Sequence, residues 1–189
     1  AVAHFLTRIY LQRWVVPAPT SDWFDNNNWT TGIVPAANSN AVIPDGAGTI
    51  NIASADVTLN DFNFSSGTLN IAAGRTLTIN GILSLKGGMI TGDGTLVITN
   101  CRPDGIMGFR STAYIQTAIV RCVNNAGTYT FPVGTANGYA PVFVKGITGT
   151  GNILVKANQG PYSGPAMYLP TDRLGRWWQI ENPGGGVTN

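Results

Sequence analysis

Four aspartates are the side chains best placed to do acid–base chemistry: Asp45, Asp56, Asp61 and Asp93. Two carboxylates that face each other across a groove would hydrolyse a glycosidic bond. Acids that hold a cation beside a basic residue, here Arg75 or Lys86, would cleave a polysaccharide by elimination. However, Asp56 and Asp61 lie in or beside predicted turns, and Asp93 lies between two glycines. Aspartate in a turn normally accepts hydrogen bonds from backbone N–H groups, so we predict no catalytic residues.

A polar run from residue 22 to residue 28 could supply oxygen ligands to Ca²⁺. Its candidate ligands are Asp22, Asp25 and Asn27. The run lacks the alternating acidic positions and the closing glutamate of a calcium loop, so the alternative is a turn in which these side chains bind the backbone. We favour the turn. We predict no other cofactor, since the single histidine, His4, cannot build a metal site alone.

Tryptophans are the other side chains that suggest a specific role. Trp23 and Trp29 flank the polar run, and one such ring buries up to ~250 Å². The pair could seal the open end of a stack of strands, or it could form a platform for sugar rings; we favour the cap. Trp177 and Trp178 are adjacent, so on a strand they point to opposite faces. At most one of them lies in the core, and the other is a contact or binding residue.

The composition favours a β-rich protein of an extracellular surface. Charged residues make up 11% of the chain, under half of the usual ~25%. Thr, Asn and 24 glycines take the polar positions instead, as they do on strand surfaces. A net charge of +2 without a basic run argues against a nucleic-acid partner. The sequence contains no apolar stretch long enough for a transmembrane helix.

Two cysteines, Cys101 and Cys122, lie 21 positions apart. In an oxidising compartment they would close one loop as a disulfide, and in a reducing one they would be two small buried thiols. The sequence leaves both states open, and we favour the disulfide.

A short apolar–polar–apolar phrase recurs between residues 49 and 100 and predicts strands with one buried face. It occupies residues 50–52, 57–59, 62–64, 69–71, 77–79 and 83–85, and residues 96–98 continue the series with Val97 at the middle position. Equivalent apolar positions recur at 18 to 20 residues, as from Leu59 to Leu77, from Leu77 to Leu96 and from Leu69 to Met89. Three short strands per repeat form one coil of a parallel β-helix. The segment holds about two and a half such coils, so its ends need caps.

Three further segments surround the predicted coils of residues 49–100. Residues 1–16 form an N-terminal arm, residues 17–48 a capping segment that leads into the coils, and residues 101–189 a second β-rich segment. The arm carries the apolar side chains Phe5, Ile9, Leu11 and Trp14. It covers the open end of the stack, adds a strand to the sheet edge of another subunit, or is a poorly packed tail; we favour the cover.

Residues 101–189 predict strands at 114–121, 129–134, 139–144 and 152–157, followed by one that begins at Trp177. Short connecting loops make antiparallel pairing the simplest arrangement. The turn at residues 183–186 leads to no further strand, so we expect this segment to be truncated. The predicted fold is therefore all-β: a short right-handed parallel β-helix followed by an antiparallel β-sandwich-like segment.

Several phrases of the chain, taken in order, resemble the repeat modules of large secreted cell-surface proteins of Bacteroidetes-type bacteria. They are Trp23, the Asn-Trp pair at 28–29, Gly-Ile-Val-Pro at 32–35, Val-Ile-Pro at 42–44, Thr-Phe-Pro-Val-Gly at 130–134, Tyr-Ala-Pro-Val at 139–142 and Arg-Trp-Trp-Gln-Ile at 176–180. The resemblance covers roughly residues 21–189. It implies export by type IX secretion and a role as an adhesin or surface layer. The arm of residues 1–16 lies outside the family pattern.

The sequence therefore predicts a non-enzymatic, extracellular structural or adhesive module. One alternative is a subunit of an extracellular filament or surface layer that assembles through the arm by strand addition. Another is a carbohydrate-binding or polysaccharide-cleaving β-helix. The corresponding partners are further copies of the chain, other surface proteins, or glycans; the candidate contact residues are Phe5, Ile9, Leu11, Trp14, Trp177 and Trp178.

Overall fold

The computed structural model describes residues 10–162 and 175–188; Phe5 and Ile9 lie outside these ranges. After strand β1 (Tyr10–Arg13), twelve short strands wind into a parallel β-solenoid of about four coils. The coils comprise β2 (Ser39–Ile43), β3 (Thr49–Ile52), β4 (Val57–Leu59); β5 (Phe62–Phe64), β6 (Thr68–Ile71), β7 (Thr76–Ile79); β8 (Leu83–Leu85), β9 (Gly88–Thr91), β10 (Thr95–Ile98); and β11 (Ile106–Met107), β12 (Ala113–Ile115), β13 (Ala118–Val123).

Antiparallel strands follow the solenoid, which confirms the predicted fold class. They are β14 (Tyr129–Phe131), β15 (Gly134–Thr135), β16 (Gly138–Tyr139), β17 (Val142–Val144), β18 (Thr148–Gly149), β19 (Gly151–Gln159), β20 (Arg176–Glu181) and β21 (Val187–Thr188). Two single-turn 3₁₀ helices, Asn26–Asn28 and Pro103–Gly105, are the helical elements of the described residues.

Each coil contributes one strand to each of three sheets. The first sheet has the order β1-β2-β5-β8-β11 and the second β3-β6-β9-β12. The long sheet has the order β4-β7-β10-β13-β19-β20, in which the last two strands are antiparallel to their neighbours. Within the coils, the apolar residues of each phrase point inward and are buried, while the polar residue between them faces out. The sequence pattern thus creates the core directly.

The register matches the predicted spacing in some pairs and departs from it in others. Leu77 pairs with Leu96 as the spacing predicts. Leu59 pairs with Ile79 instead of Leu77, which keeps the same face. Leu69 pairs with Ile90 instead of Met89, and this shift of one residue matters because neighbouring residues on a strand face opposite sides. The cause is the corners between strands, whose lengths vary: paired residues of successive coils lie 19 positions apart for Leu77 and Leu96 but 25 apart for Gly88 and Ala113.

A column of glycines allows the coils to stack closely at the corner between the first and second sheets. Gly67 and Gly88 occupy this corner in successive coils, each with positive φ. A Cβ added to Gly67 would lie 2.3 Å from the carbonyl oxygen of Gly48, and one added to Gly88 would lie 2.3 Å from that of Gly67. Backbones that approach this closely leave no room for a side chain.

Three tryptophans close the first end of the solenoid. Trp14, Trp23 and Trp29 are almost fully buried. The Trp29 ring meets those of Trp14 and Trp23 edge-on, with centroids 5.1 and 4.8 Å away, and Trp23 contacts Phe62 of the second coil at 6.0 Å. The Trp29 indole N–H donates to the Trp23 carbonyl at 2.9 Å. These edge-on contacts suit the charge distribution of aromatic rings, and the cluster covers the apolar end of the stack.

The described part of the arm lies against its own molecule. β1 pairs in parallel with β2, from Tyr10 opposite Ser39 to Arg13 opposite Val42. Trp14, which the sequence assigned to an assembly surface, instead belongs to the cap, because alternation along β1 turns it toward the core. The interpretation of the arm as a cover for the open end fits these residues.

The parallel stack is longer than the predicted range of 49–100, since it begins at residue 39 and continues to residue 123. β13 explains the difference: one of its edges pairs in parallel with β10 and the other pairs antiparallel with β19. Its apolar run suits both a coil and a sandwich strand. The two parts of the protein therefore share the long sheet, with no boundary at residue 100.

Replacing Trp29 by alanine should lower the free energy of unfolding by about 3–5 kcal/mol, because it removes a buried ring and leaves a cavity at the end of the stack. Equilibrium unfolding in urea measures the change. Ile33→Ala is the matched control: Ile33 is 62% exposed, so its loss should stay within about 0.5 kcal/mol. Similar values for the two variants would contradict the capping role.

Candidate functional site

Two of the four aspartates that might have been catalytic, Asp56 and Asp61, bind the backbone of the neighbouring coil. Asp56 Oδ1 accepts the Thr76 N–H at 2.9 Å, and Asp61 Oδ1 accepts the Ile82 N–H at 2.8 Å. Both bonds join residues about one coil apart. They tie successive coils together at the turns, where the sheet ladders are interrupted, so the carboxylates have a structural task.

The candidate calcium ligands form a hydrogen-bonded turn. Asp22 Oδ1 accepts the Phe24 N–H at 3.0 Å. Asp25 Oδ1 accepts both the backbone and the side-chain N–H of Asn27, at 2.9 and 3.0 Å, while its Oδ2 accepts the Thr20 hydroxyl at 3.0 Å. The bond from the Asn27 backbone is the main reason that the pKa of Asp25 is lowered. This geometry matches the turn interpretation rather than an open set of oxygen ligands.

Asn28 holds the same loop together through hydrogen bonds of its side chain. Its side-chain amide donates to the Asp22 carbonyl at 2.7 Å and to the Thr20 hydroxyl at 2.8 Å, and its Oδ1 accepts the Thr20 N–H at 3.1 Å. The residue is fully buried. The loop therefore holds Trp23 and Trp29 in place through polar contacts.

Within residues 10–162 and 175–188, no group of three or more His, Cys, Asp and Glu side chains could hold a metal ion.

At the opposite end of the solenoid, a disulfide joins Cys101 to Cys122, whose Cα atoms lie 4.5 Å apart. Cys101 follows the last strand of the third coil, and Cys122 lies in the last strand of the fourth. The bond therefore fastens the final coil to the one before it. In the loop-entropy model, a loop of this length adds about 3 kcal/mol of stability.

Arg121, which the sequence analysis did not single out, is the buried centre of this end. Its guanidinium donates to the carbonyls of Thr130, Arg102 and Pro103 at 2.7, 2.8 and 2.6 Å and lies 5.0 Å from the centre of the Tyr129 ring. Burial lowers the pKa of Arg121 to about 10, so the side chain stays charged at neutral pH. Arginine in a strand normally faces solvent, and no local pattern distinguishes this one.

Tyr129 completes the arrangement around the disulfide. Its hydroxyl donates to the Cys101 carbonyl at 2.6 Å, and the Asn124 N–H donates to that hydroxyl at 3.1 Å. The ring itself is fully buried. One end of the solenoid is thus closed by tryptophans and the other by a cation, a phenol and a disulfide.

Trp177 and Trp178 lie on β20, at the edge of the long sheet. Trp178 is 38% exposed, and its indole N–H donates to the Ala140 carbonyl at 2.9 Å, which fixes the ring. Trp177 is half-buried and meets Tyr162 edge-on at 5.0 Å. The two rings point to opposite faces, as alternation predicts.

A groove of about 360 Å³ lies beside Trp178, lined also by Asn137, Gln159, Gly175 and Arg176. The Arg176 guanidinium donates to the carbonyls of Tyr139 and Asn137 at 3.4 and 3.3 Å. A fixed indole thus stands beside a positioned cation and two amide side chains. The composition of the groove suits a polar ligand.

Leu11 is the remaining assembly candidate among the described residues. It is 62% exposed and lies over a shallow groove of about 320 Å³ on the outer face of the first sheet, beside Asn40, Asn63 and Ser84. The structure thus separates the proposed assembly residues: Leu11 is exposed at the first end, Trp14 is buried, and the β20 tryptophans lie at the other end.

Comparison of the chain with protein families, with curated proteins and with solved structures finds no match. None of the helices among the described residues is long and apolar enough to cross a membrane.

Replacing Arg121 by methionine should lower the free energy of unfolding by about 3 kcal/mol or more, because the three carbonyls that the buried guanidinium binds lose their donor. Thermal or urea unfolding measures the loss. Arg102→Met provides the control: its ion pair with Asp104 is exposed, and such pairs contribute about 0–1 kcal/mol. If both variants lost the same small amount, Arg121 would not be the centre of this end.

Proposed function

We propose that this chain is a non-enzymatic structural or adhesive module of an extracellular surface protein. The observation that carries the proposal is the use made of its polar side chains. Asp56 and Asp61 tie coil to coil, Asp25 closes a turn, and Arg121 fills one end of the stack. These groups make a rigid, capped rod from a chain with few charges.

The disulfide supports a location outside the reducing cytoplasm. Disulfides persist in secreted and surface proteins, whereas cytosolic thiols are kept reduced. Cys101 and Cys122 form theirs between the third and fourth coils, where it adds stability. The resemblance to modules of secreted Bacteroidetes-type surface proteins favours the same location and, with it, type IX secretion.

Cells that produce the natural protein provide the test of this role. A membrane-impermeant amine reagent should biotinylate the protein on intact cells, through exposed lysines such as Lys86 and Lys145. Acid-trapped samples should contain Cys101 and Cys122 as a disulfide. Labelling only after lysis, or free thiols in the trapped protein, would contradict an extracellular location. Turnover of a surface polysaccharide by the purified chain, with or without Ca²⁺, would contradict the non-enzymatic role.

A second candidate function is glycan binding at the Trp178 groove. The observation that favours it is the fixed, partly exposed indole beside Arg176, Asn137 and Gln159. An indole offers an apolar face, and the neighbouring groups offer hydrogen bonds, which is the combination that small polar ligands require.

Screening against an array of surface polysaccharides, followed by calorimetry, tests this second candidate. If a glycan binds in the groove, Trp178→Ala should weaken its binding at least about tenfold, since one aromatic contact is worth over 1 kcal/mol. Phe143→Ala should leave binding unchanged, because Phe143 is exposed but does not line the groove. Absence of binding across the array, or equal effects of the two variants, would reject the groove as a glycan site.

A further inference from the structure

The charges of the chain are segregated along the axis of the solenoid. Residues 10–74 contain five aspartates and one basic residue, Arg13, whereas the described residues after Asn100 contain six basic residues and two acidic ones, Asp104 and Glu181. In a solenoid each coil stacks on the previous one, so order in the sequence becomes order along the axis. The first end of the stack is therefore acidic and the last end basic. A net charge near zero conceals this polarity.

Most of these charges face solvent. Asp22, Asp45 and Asp56 are exposed at the acidic end, and Arg110 and Lys145 are exposed at the basic end. The ion pair found among the described residues, Arg102–Asp104, joins two neighbours within one turn. The charges of the two ends therefore do not neutralise each other within one molecule.

The long sheet ends in an open strand at each of these ends. β4 is its outermost strand at the acidic end and β20 at the basic end, and within the described residues each pairs with one neighbour, β7 and β19 respectively. β19 is antiparallel to β13, and β20 is antiparallel to β19. β20 therefore runs in the same direction as β4. A second copy placed in line would continue the sheet as a parallel pair.

The apolar surface at β20 is also incompletely covered. Trp178 and Ile180 stand opposite Ala157 and Val155, which are buried on the core side of the sheet. Yet Trp178 is 38% exposed and Ile180 is 55% exposed. Side chains on the core side of an edge strand that remain exposed indicate a surface suited to another element.

We propose that the acidic end of one copy docks onto the basic end of another, with β4 of the second copy beside β20 of the first. Opposite charges orient the two ends, backbone hydrogen bonds extend the long sheet, and the covering of Trp178 and Ile180 adds apolar contact. The interface joins two different surfaces, so repetition gives an open stack instead of a closed dimer. This assembly goes beyond the proposed structural role, because a chain that stays monomeric could still serve as a rigid surface module.

Sedimentation of the full chain over a range of concentrations and salt tests the proposal. At about 20 mM NaCl the mean mass should keep rising with concentration, and about 500 mM NaCl should weaken association roughly tenfold or more, because salt screens the charges. A mass that stops at the dimer would overturn the open stack. Association that ignores salt, or a monomer at all concentrations, would overturn the electrostatic docking.

Charge reversal at each end tests the orientation. Asp45→Lys changes the acidic end and Lys145→Glu the basic end; both residues are exposed, and circular dichroism verifies that each variant is folded. Each variant alone should associate at least about tenfold more weakly than the parent chain. Mixing the two should restore association, since the reversed end of each variant then meets a complementary end of the other. Two unaffected variants, or a mixture as weak as its components, would reject head-to-tail docking.

Ile180→Lys tests the strand contact separately from the charge at the acidic end. Ile180 is exposed in the single molecule, so the variant should unfold within about 0.5 kcal/mol of the parent. Its association at high salt, where charge effects are screened, should fall below that of the parent chain. Unchanged association would exclude β20 from the interface. The biotinylation and thiol measurements do not depend on any of these outcomes, so the surface location can stand if the assembly fails.

Discussion

A stack of β coils has two open ends, and the rest of this structure depends on how they are closed. Each coil covers the apolar row of its neighbour, but the first and last coils each expose one side of the core. With only about four coils, these ends are a large share of the interior surface. The largest fully buried side chains lie at these ends: Trp14, Trp23 and Trp29 at one, and Arg121 and Tyr129 at the other.

The two ends are closed by different physical means. At the first, rings pack edge-on and the polar loop around Asp25 and Asn28 holds them, so burial of apolar area dominates. At the last, the chain must change from parallel coils to antiparallel strands, which leaves several carbonyls turned inward. Arg121 supplies donors to three of them. A buried guanidinium is costly unless its hydrogen bonds are made, so its position and the path of residues 102–130 determine each other.

Alternation of apolar and polar residues was enough to predict the coils, because a strand with one buried face has a period of two. The same pattern could not predict the register between coils, because the register depends on the lengths of the corners, and these vary. Glycines such as Gly67 and Gly88 make the close backbone contacts at these corners possible. It also could not show where the coils end, since β13 serves a parallel and an antiparallel neighbour at once. The role of Arg121 could not be predicted from the sequence, because its partners are backbone carbonyls 9 to 19 residues away along the chain. Trp23 and Trp29, by contrast, could be assigned to a cap from size and position alone.

The linear build of the molecule gives meaning to the order of its charges. In a globular domain, five aspartates in one third of the chain would be scattered over the surface. Here the coils convert that stretch into one end of a rod, and the mainly basic stretch after residue 100 into the other. Asp56 and Asp61 contribute both to the stability of the stack and to its charge distribution. Each uses one carboxylate oxygen to bind the next coil, while its negative charge remains at the acidic end. The same residues that stabilise the stack thereby contribute to its polarity, and polarity along an axis is what favours association end to end over association side by side.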